Sequence, residues 1–241
     1  MGEGAGRGGP APPATIYGGA LGELDQAVYR VIAATPSPSL DFILSRLSSA
    51  ADHSKLWLAV AAALALKPGR PRRAALLGVA SIGLASATAN LVGKGLLRRA
   101  RPDRAGVPVP AGRKVKMPGS MSFPSGHSAS AFAFATAVGD ELPLAWLPLH
   151  AVAAAITYSR VHTGVHYPGD VLVGSLMGTG AAVAVRYTGR ALTRRSASPS
   201  QPGGPNNVRV GRDSATSEHQ ARTRTEAEVG SRWPRAQRSH I

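Results

Sequence analysis

A series of apolar runs, rich in Ala, Leu and Val, between about residues 55 and 187 constrains the fold of this chain more than any other feature. The run at residues 74–92 is long enough to cross about 30 Å of hydrocarbon, since a helix rises about 1.5 Å per residue. The remaining runs fall short of the roughly 20 residues that an isolated span needs, so we expect polar residues that face protein or water to extend them. Those runs occupy residues 56–66, 128–138, 142–158 and 171–185.

Two folds are compatible with these runs: a membrane bundle and a soluble helical core rich in Ala. The runs are apolar around the whole helix and not along one stripe, which favours the membrane. Their many Ala, Gly and Ser residues favour close helix packing in lipid. The mean hydropathy of −0.03 does not oppose this, because polar ends dilute an apolar middle. The sequence therefore predicts an all-α protein, a multi-pass transmembrane helical bundle of about five spans, over residues 55–190.

The segments that flank the bundle differ from it in composition. Residues 21–54 place apolar side chains near helical spacing, with charged residues between them and a break at residues 36–38. This pattern predicts two short amphipathic helices that lie on the membrane surface. Residues 1–20 and 191–241 contain few large apolar residues and much Gly, Pro, Ser or Arg, and we predict that both tails are disordered.

The formal net charge of +15 is compatible with three partners: nucleic acid, an anionic membrane surface and a phosphorylated substrate. The cations lie in the tails and at the ends of the apolar runs, not on a soluble domain. The sequence therefore predicts membrane lipids as partners and no nucleic acid. The absence of cysteine excludes disulfide and thiolate chemistry, and the sequence leaves the oligomeric state open.

Three short motifs lie at the ends of the apolar runs. Five alternating spans would place the loops at residues 95–123 and 160–169 on one face of the membrane, so that the motifs meet there. The first motif includes Lys94 and Arg101, whose separation predicts that both side chains share one face of the second helix. A positive flank at the membrane border, a place that Arg98 and Arg99 fit well, is the alternative for this pair.

The second and third motifs bring histidine and a carboxylate to helix ends. Ser125 and Gly126 precede the third run, where unpaired N–H groups and the helix dipole favour an anion; an ordinary helix cap is the alternative for Ser125. His166 and Asp170 flank the start of the fifth run. A carboxylate on one ring nitrogen fixes the histidine tautomer and leaves the other nitrogen free to attack. A capping role for Asp170, beside a loop histidine, is the alternative.

Taken together, the motifs follow one pattern: Lys, six residues and Arg-Pro; then Pro-Ser-Gly-His; then Ser-Arg, five residues, His, three residues and Asp. This pattern resembles the type 2 phosphatidic acid phosphatase (PAP2) superfamily over about residues 55–187, with every signature position filled. The resemblance implies a phosphomonoesterase or diphosphatase on a helical membrane bundle, without metal or cofactor. Three cationic side chains would take the place of a metal ion.

The resemblance also implies a role for each matched residue. His166 would attack phosphorus and form a phosphohistidine, and Asp170 would orient and polarise it. His127 would protonate the leaving oxygen and then activate the water that releases phosphate. The phosphate oxygens would be held by the remaining matched positions: Lys94, Arg101, Ser125, Gly126 and Arg160.

The predicted substrate is a phosphate or diphosphate on a lipid or polyprenyl (isoprenoid) carrier, since a headgroup phosphate would meet a site at the helix ends. Two other functions remain open: a vanadate-binding enzyme similar to the haloperoxidases, and a lipid-phosphate binding or transport protein without catalysis. Lys and Arg residues are nearly balanced between the two faces. If the Lys and Arg residues that would bind phosphate are not counted, the remaining charges favour a cytoplasmic C-terminal tail. The site would then lie on the extracytoplasmic face of the cell membrane.

Overall fold

The structure, a computed structural model, describes residues 19–95, 99–104, 109–113 and 115–196. Within these ranges the chain is helical and contains no β-strand, which confirms the all-α prediction. The predicted disordered tails lie almost entirely outside the described residues, but the last helix continues to Ser196 and so passes the predicted boundary at residue 190. The described helices are α1 (Ala20–Ala34), α2 (Pro38–Ala50), α3 (Lys55–Ala65), α4 (Arg70–Gly95), α5 (Gly126–Glu141), α6 (Pro143–His162) and α7 (Pro168–Ser196), with 3-10 turns at Asp52–Ser54 and Ala111–Arg113.

Helix α5 lies at the centre of the bundle and packs against α4, α6 and α7. Small residues make up most of this helix, and they are largely buried. Helix α7 approaches it so closely that a Cβ at Gly174 would overlap the carbonyl oxygen of Ser125, and a Cβ at Gly178 would overlap that of Ala129. Only glycine allows this backbone contact. It holds the start of α7 beside the start of α5, where two of the motifs lie.

Two helices have the length and composition of membrane spans. The windows Arg70–Leu91 in α4 and Pro168–Ala191 in α7 have mean hydropathies of 1.6 and 1.3, and only 39% and 33% of them are buried. The core helix of a soluble protein would be mostly buried, whereas these helices turn large apolar side chains such as Leu76 and Leu176 outward. Exposed apolar surface of this extent is typical of contact with lipid. The other predicted spans correspond to α3, α5 and α6, and their crossing of the membrane stays a prediction.

Helices α1 and α2 lie against α6 and α7, at the end of the molecule that carries the motifs. Helix α1 buries Asp25 and exposes Leu21 and Leu24, and α2 exposes Phe42 and Ile43. Charged residues share the exposed side of α1, and its buried side also includes aromatic and small apolar side chains. Large apolar side chains exposed among charged ones are what a helix at a membrane surface would present.

The fully buried Arg113 ties α1 and α2 to the loop before α5. Its Nε donates to Oδ1 of Asp41 at 2.6 Å, and its Nη1 donates to the carbonyl oxygens of Ile32 and Ala33 at 3.2 Å. Nε2 of His162 lies 2.8 Å from the same Asp41 oxygen. Burial raises the pKa of Asp41, but the hydrogen bonds from Arg113 and His162 outweigh it and hold the pKa below its usual value. The ionised Asp41 therefore fixes α2 against the end of α6.

Helix α4 ends at Gly95, and residues 99–103 are not helical. The prediction that Lys94 and Arg101 share one face of a helix is therefore wrong. Pro102 disfavours the helical conformation at the residue before it, so Arg101 reaches the site from a loop. The backbone of Lys94 belongs to the last turn of α4, while its side chain lies outside the described part of the structure.

Candidate active site

The candidate site is formed where three helix ends meet the loop that follows α4. These ends are the starts of α5 and α7 and the end of α6. The structure brings the described motif side chains to this place, although they are far apart in the sequence. They are Arg101 in the loop, His127 in the first turn of α5, Arg160 in the last turn of α6, His166 just before α7 and Asp170 in the first turn of α7.

His166 is buried in the short loop between α6 and α7. Nη1 of Arg101 lies 3.2 Å from its Nε2; because a guanidinium only donates, Nε2 carries the lone pair and Nδ1 the proton. Nδ1 lies 3.5 Å from Oδ2 of Asp170. Burial lowers the pKa of His166 to about 4, helped by the charge of Arg101, although the hydrogen bond to Asp170 opposes it. The imidazole is therefore neutral near pH 7 and has a lone pair for nucleophilic attack.

Asp170 is fully buried at the start of α7. Its Oδ2 accepts hydrogen bonds from the Ser122 hydroxyl and, at 2.9 Å, from the backbone N–H of Tyr167. Its Oδ1 accepts a hydrogen bond from Nη1 of Arg99 at 2.9 Å. A buried carboxylate needs such partners to offset its loss of hydration. They also fix the carboxylate beside the ring of His166.

Arg99 is a member of the site that the sequence reasoning missed. In addition to Asp170 it binds Asp25 of α1, with Nη2 2.6 Å from Oδ2. Its guanidinium also lies over the ring of Tyr167, 3.9 Å from the centroid. Asp25 in turn accepts a hydrogen bond from the backbone N–H of Gly169 at 2.7 Å. The interpretation of Arg99 as a positive flank is wrong, because it is a buried link between α1 and α7; nothing in the sequence distinguishes it from the arginines beside it.

Arg160 is buried in the last turn of α6. Its Nη1 donates to the hydroxyl of Ser48 at 2.6 Å and lies 3.8 Å from Oδ1 of Asp52. Its Nε is buried and has no hydrogen-bond partner among the described residues. A buried guanidinium N–H without an acceptor is costly. A phosphate oxygen is an acceptor that suits it well.

His127 meets a carboxylate that the sequence reasoning did not assign to the site. Its Nε2 lies 2.9 Å from Oδ1 of Asp52, in the turn that follows α2. Asp52 and Ser48 approach from the N-terminal segment, whose helices were predicted only to lie on the membrane. No spacing in the sequence links them to residues more than 70 positions later.

Ser125 caps α5, which was the alternative to a direct phosphate contact. Its Oγ accepts hydrogen bonds from the N–H of Ser128 at 3.4 Å and from the Ser128 hydroxyl at 3.1 Å. Its own N–H donates to the carbonyl oxygen of Asp170 at 3.0 Å, which joins the starts of α5 and α7. Gly126, the first residue of the helix, is exposed and has open space where a Cβ would be. An anion could therefore approach its backbone closely.

A family model described as the PAP2 superfamily matches residues 74–194, a range that contains all three motifs. The chain belongs to the PAP2 superfamily. The resemblance that the motifs carried is thus confirmed, and with two helices of span character the protein is a membrane phosphatase of this family.

Curated relatives of this chain are phosphatases. A decaprenylphosphoryl-5-phosphoribose phosphatase from Mycobacterium tuberculosis is 37% identical over 147 residues, which are 59% of this chain and 77% of that protein. The protein of the same name from Mycolicibacterium smegmatis is 37% identical over 53% of this chain and 67% of its own length. A lipid A 4'-phosphatase from Bacteroides thetaiotaomicron matches a shorter part, with 37% identity over 25% of this chain and 28% of that protein.

Solved structures support the fold. LpxE from Aquifex aeolicus superposes with a TM-score of 0.59 at 23% identity and covers 72% of this chain and 99% of its own. A transmembrane PAP2 type phosphatidylglycerolphosphate phosphatase from Bacillus subtilis has a TM-score of 0.58 at 22% identity and covers 72% of this chain and 88% of its own. The helical arrangement described above is therefore that of known members of the family.

Proposed function

We propose that this phosphatase removes a phosphate from a polyprenyl-linked or other lipid substrate through a phosphohistidine on His166, without a metal ion. The observation that carries the proposal is the buried, neutral imidazole of His166, which lies between Arg101 at Nε2 and Asp170 at Nδ1. Such an imidazole presents a lone pair to phosphorus, while the carboxylate stabilises the positive charge that develops on the ring.

The phosphate oxygens would be bound by the cations of the site. Arg160 contributes a buried Nε that lacks an acceptor, Arg101 turns from His166 to the phosphate, and Lys94 adds a third positive charge. The N–H of Gly126 at the start of α5 adds a hydrogen bond aided by the helix dipole. Ser125 accepts two hydrogen bonds and keeps its own hydroxyl proton for a phosphate oxygen. These groups neutralise the equatorial oxygens and hold phosphorus in line with His166.

In the first step, Nε2 of His166 forms a bond to phosphorus while the bond from phosphorus to the leaving oxygen breaks. His127 donates a proton to that oxygen, so that the oxygen carries no additional negative charge when the carrier leaves. Asp170 accepts the hydrogen bond from Nδ1–H and stabilises the cationic phosphohistidine.

In the second step, a water molecule attacks the phosphohistidine. His127, now neutral, accepts a proton from the water as its oxygen bonds to phosphorus and the N–P bond breaks. Inorganic phosphate leaves, and His166 returns to its neutral form. His127 ends the cycle protonated and ready to act as an acid again.

A polyprenyl carrier is the best supported substrate class. The 37% identity to phosphatases of decaprenylphosphoryl-5-phosphoribose extends over more than half of this chain, further than the match to the lipid A 4'-phosphatase. Leu172 and Leu176, which follow Asp170 by two and six residues, are exposed on α7. A long apolar chain could lie along this face while its phosphate enters the site.

We also propose that five helices, α3–α7, cross the cell membrane and that the site lies on its extracytoplasmic face. The end of the bundle opposite to the site carries a group of cations, which favours a cytoplasmic position for that end. The exposed apolar side chains of α1 and α2 would then rest on the extracytoplasmic surface of the lipid. The cations in question are Lys67, Arg70, Arg72, Arg73, Arg186 and Arg190.

Phosphate release by the purified protein in detergent micelles tests the proposed function. The panel should include a polyprenyl phosphosugar phosphate, a prenyl diphosphate, phosphatidylglycerol phosphate and phosphatidic acid. We expect the polyprenyl substrates to have the highest kcat/KM, and His166→Ala to release none while remaining in the membrane fraction. In His127→Ala, brief exposure to labelled substrate should leave label on the protein that is stable to alkali and lost in acid, as expected for phosphohistidine.

Three results would contradict the proposal. Unchanged turnover in His166→Ala would exclude that residue as the nucleophile. Tight vanadate binding with halide oxidation and no phosphate release would favour the haloperoxidase-like function, and binding of lipid phosphates without turnover would favour a transport or binding protein.

A further inference from the structure

The turn Asp52–Ser54, between α2 and α3, has an unusual backbone. His53 and Ser54 both adopt left-handed conformations, with φ of 54° and 58°. Neither residue is glycine, so two consecutive positions are held in a conformation that side chains disfavour. Strained backbone of this kind persists where the surrounding structure determines it, and it is concentrated at functional sites.

The strained turn presents a carboxylate to the site. Oδ1 of Asp52 lies 2.9 Å from Nε2 of His127 and 3.8 Å from Nη1 of Arg160. The same Arg160 nitrogen donates to Ser48 in the last turn of α2, so that α2 and the turn are joined to α6 at this point. Asp52 is partly exposed, whereas the other carboxylate of the site, Asp170, is fully buried.

We infer that Asp52 is a positioning residue for His127, and that the site therefore contains two histidine–carboxylate pairs. The inference rests on the proposed function, in which His127 is the acid of the first step and the base of the second. Asp170 supports the nucleophile His166, and Asp52 supports the proton-transferring His127. Neither Asp52 nor its turn belongs to the three motifs.

The chemistry explains why the second pair is useful. His127 must carry a positive charge before it protonates the leaving oxygen, and it regains that charge when it takes a proton from water. The charged or titratable groups that face it are Asp52 from the turn, Arg160 from α6 and His166 from the loop before α7. Burial and the nearby guanidinium of Arg160 disfavour a positive charge on His127, and a carboxylate in hydrogen-bond contact favours it. Asp52 is the only carboxylate in this set of described groups.

The alternative is that Asp52 competes with the substrate. A carboxylate oxygen near Arg160 would then occupy part of the phosphate pocket and would have to leave before catalysis. The two interpretations make opposite predictions, because a competitor lowers affinity for phosphate, whereas a positioning carboxylate maintains kcat and leaves KM nearly unchanged.

The test measures phosphate release by Asp52→Asn over a range of pH, in full-length protein in detergent. We expect kcat near pH 7.5 to fall about tenfold or more, which is part of the roughly 10²–10⁴-fold that a general acid–base group contributes, with KM within about twofold of wild type. The alkaline limb of kcat/KM should move to lower pH by about one unit, because the protonated form of His127 loses its stabilising carboxylate. Asp52→Glu should restore part of kcat and move the alkaline limb part of the way back to its wild-type pH.

Glu23→Gln is the matched control. It removes one carboxylate from the exposed surface of α1 and should leave kcat, KM and the pH profile unchanged. The thermal unfolding midpoint of each variant shows whether a loss of activity follows from unfolding. An Asp52→Asn protein that is as stable as wild type, but has the shifted alkaline limb, would match the inference.

Three results would separate the possible errors. An unshifted limb with unchanged kcat overturns the positioning role. A lower KM with stronger inhibition by inorganic phosphate, and no fall in kcat, would show that Asp52 is a competitor of phosphate. Absence of phosphate release by wild-type protein on every substrate of the panel would instead overturn the proposed function on which the inference rests.

Discussion

Replacement of Arg99 by methionine should destabilise this protein strongly. Arg99 lies 2.6 Å from Asp25 and 2.9 Å from Asp170, and the three side chains are 9%, 9% and 0% exposed. Methionine fills much of the same volume but leaves two buried carboxylates close together without their shared cation. Breaking a buried pair from one side costs about 3–5 kcal/mol, whereas an exposed pair is worth at most about 1 kcal/mol. Burial therefore decides the size of the effect.

The expected loss can be read as a change in thermal stability. For a protein of this size, about 1 kcal/mol shifts the unfolding midpoint by about 2–4 °C, so a loss near 4 kcal/mol lowers it by about 8–16 °C. Circular dichroism of the protein in detergent measures the midpoint, and Arg30→Met, an exposed arginine on α1, is the control. Arg99→Lys should fall between the two variants, since it keeps the charge but loses the planar fork that binds two carboxylates at once.

A second substitution sharpens the test. Asp25→Asn in the Arg99→Met background removes one of the two unpaired charges, so the midpoint should recover part of the loss. A midpoint of Arg99→Met within about 2 °C of that of Arg30→Met, or no recovery in the double variant, would refute the conclusion that Arg99 compensates both carboxylates.

Three further predictions concern the nucleophile, the packing of the bundle and the metal. On the acidic side, kcat/KM should decline only as the pH falls through about 4. Burial lowers the pKa of His166 to about 4, and protonation below that value removes the Nε2 lone pair. A decline centred near pH 6.5 would mean that water reaches the ring. Gly178→Ala should lower the unfolding midpoint by several degrees, since its Cβ would overlap the carbonyl oxygen of Ala129 and overpacking costs about 1–3 kcal/mol, whereas Gly180→Ala, in open space, should not. A chelator should leave phosphate release unchanged, because side-chain cations are proposed to bind the phosphate; strict dependence on added Mg²⁺ would contradict this.

Local patterns were sufficient to predict the helices and the family. An apolar run indicates a segment that is buried in protein or lipid, and each of the five runs corresponds to one helix from α3 to α7. The motif spacing also predicted that Asp170 could approach His166, since four residues across a helix start bring two side chains together. The same reasoning failed where a helix ended early: Lys94 and Arg101 have the spacing of one helical face, but α4 ends at Gly95.

The sequence by itself determined that this is a helical membrane phosphatase with three motifs at helix ends, because each motif and each run is a short, continuous piece of chain. Only the tertiary structure decided what surrounds the two histidines. Arg99 and Asp170 are 71 positions apart, Asp52 and His127 are 75, and Ser48 and Arg160 are 112. Contacts over such separations depend on how the N-terminal segment and the loop after α4 pack over the ends of α5, α6 and α7, and no periodicity along the chain encodes that packing.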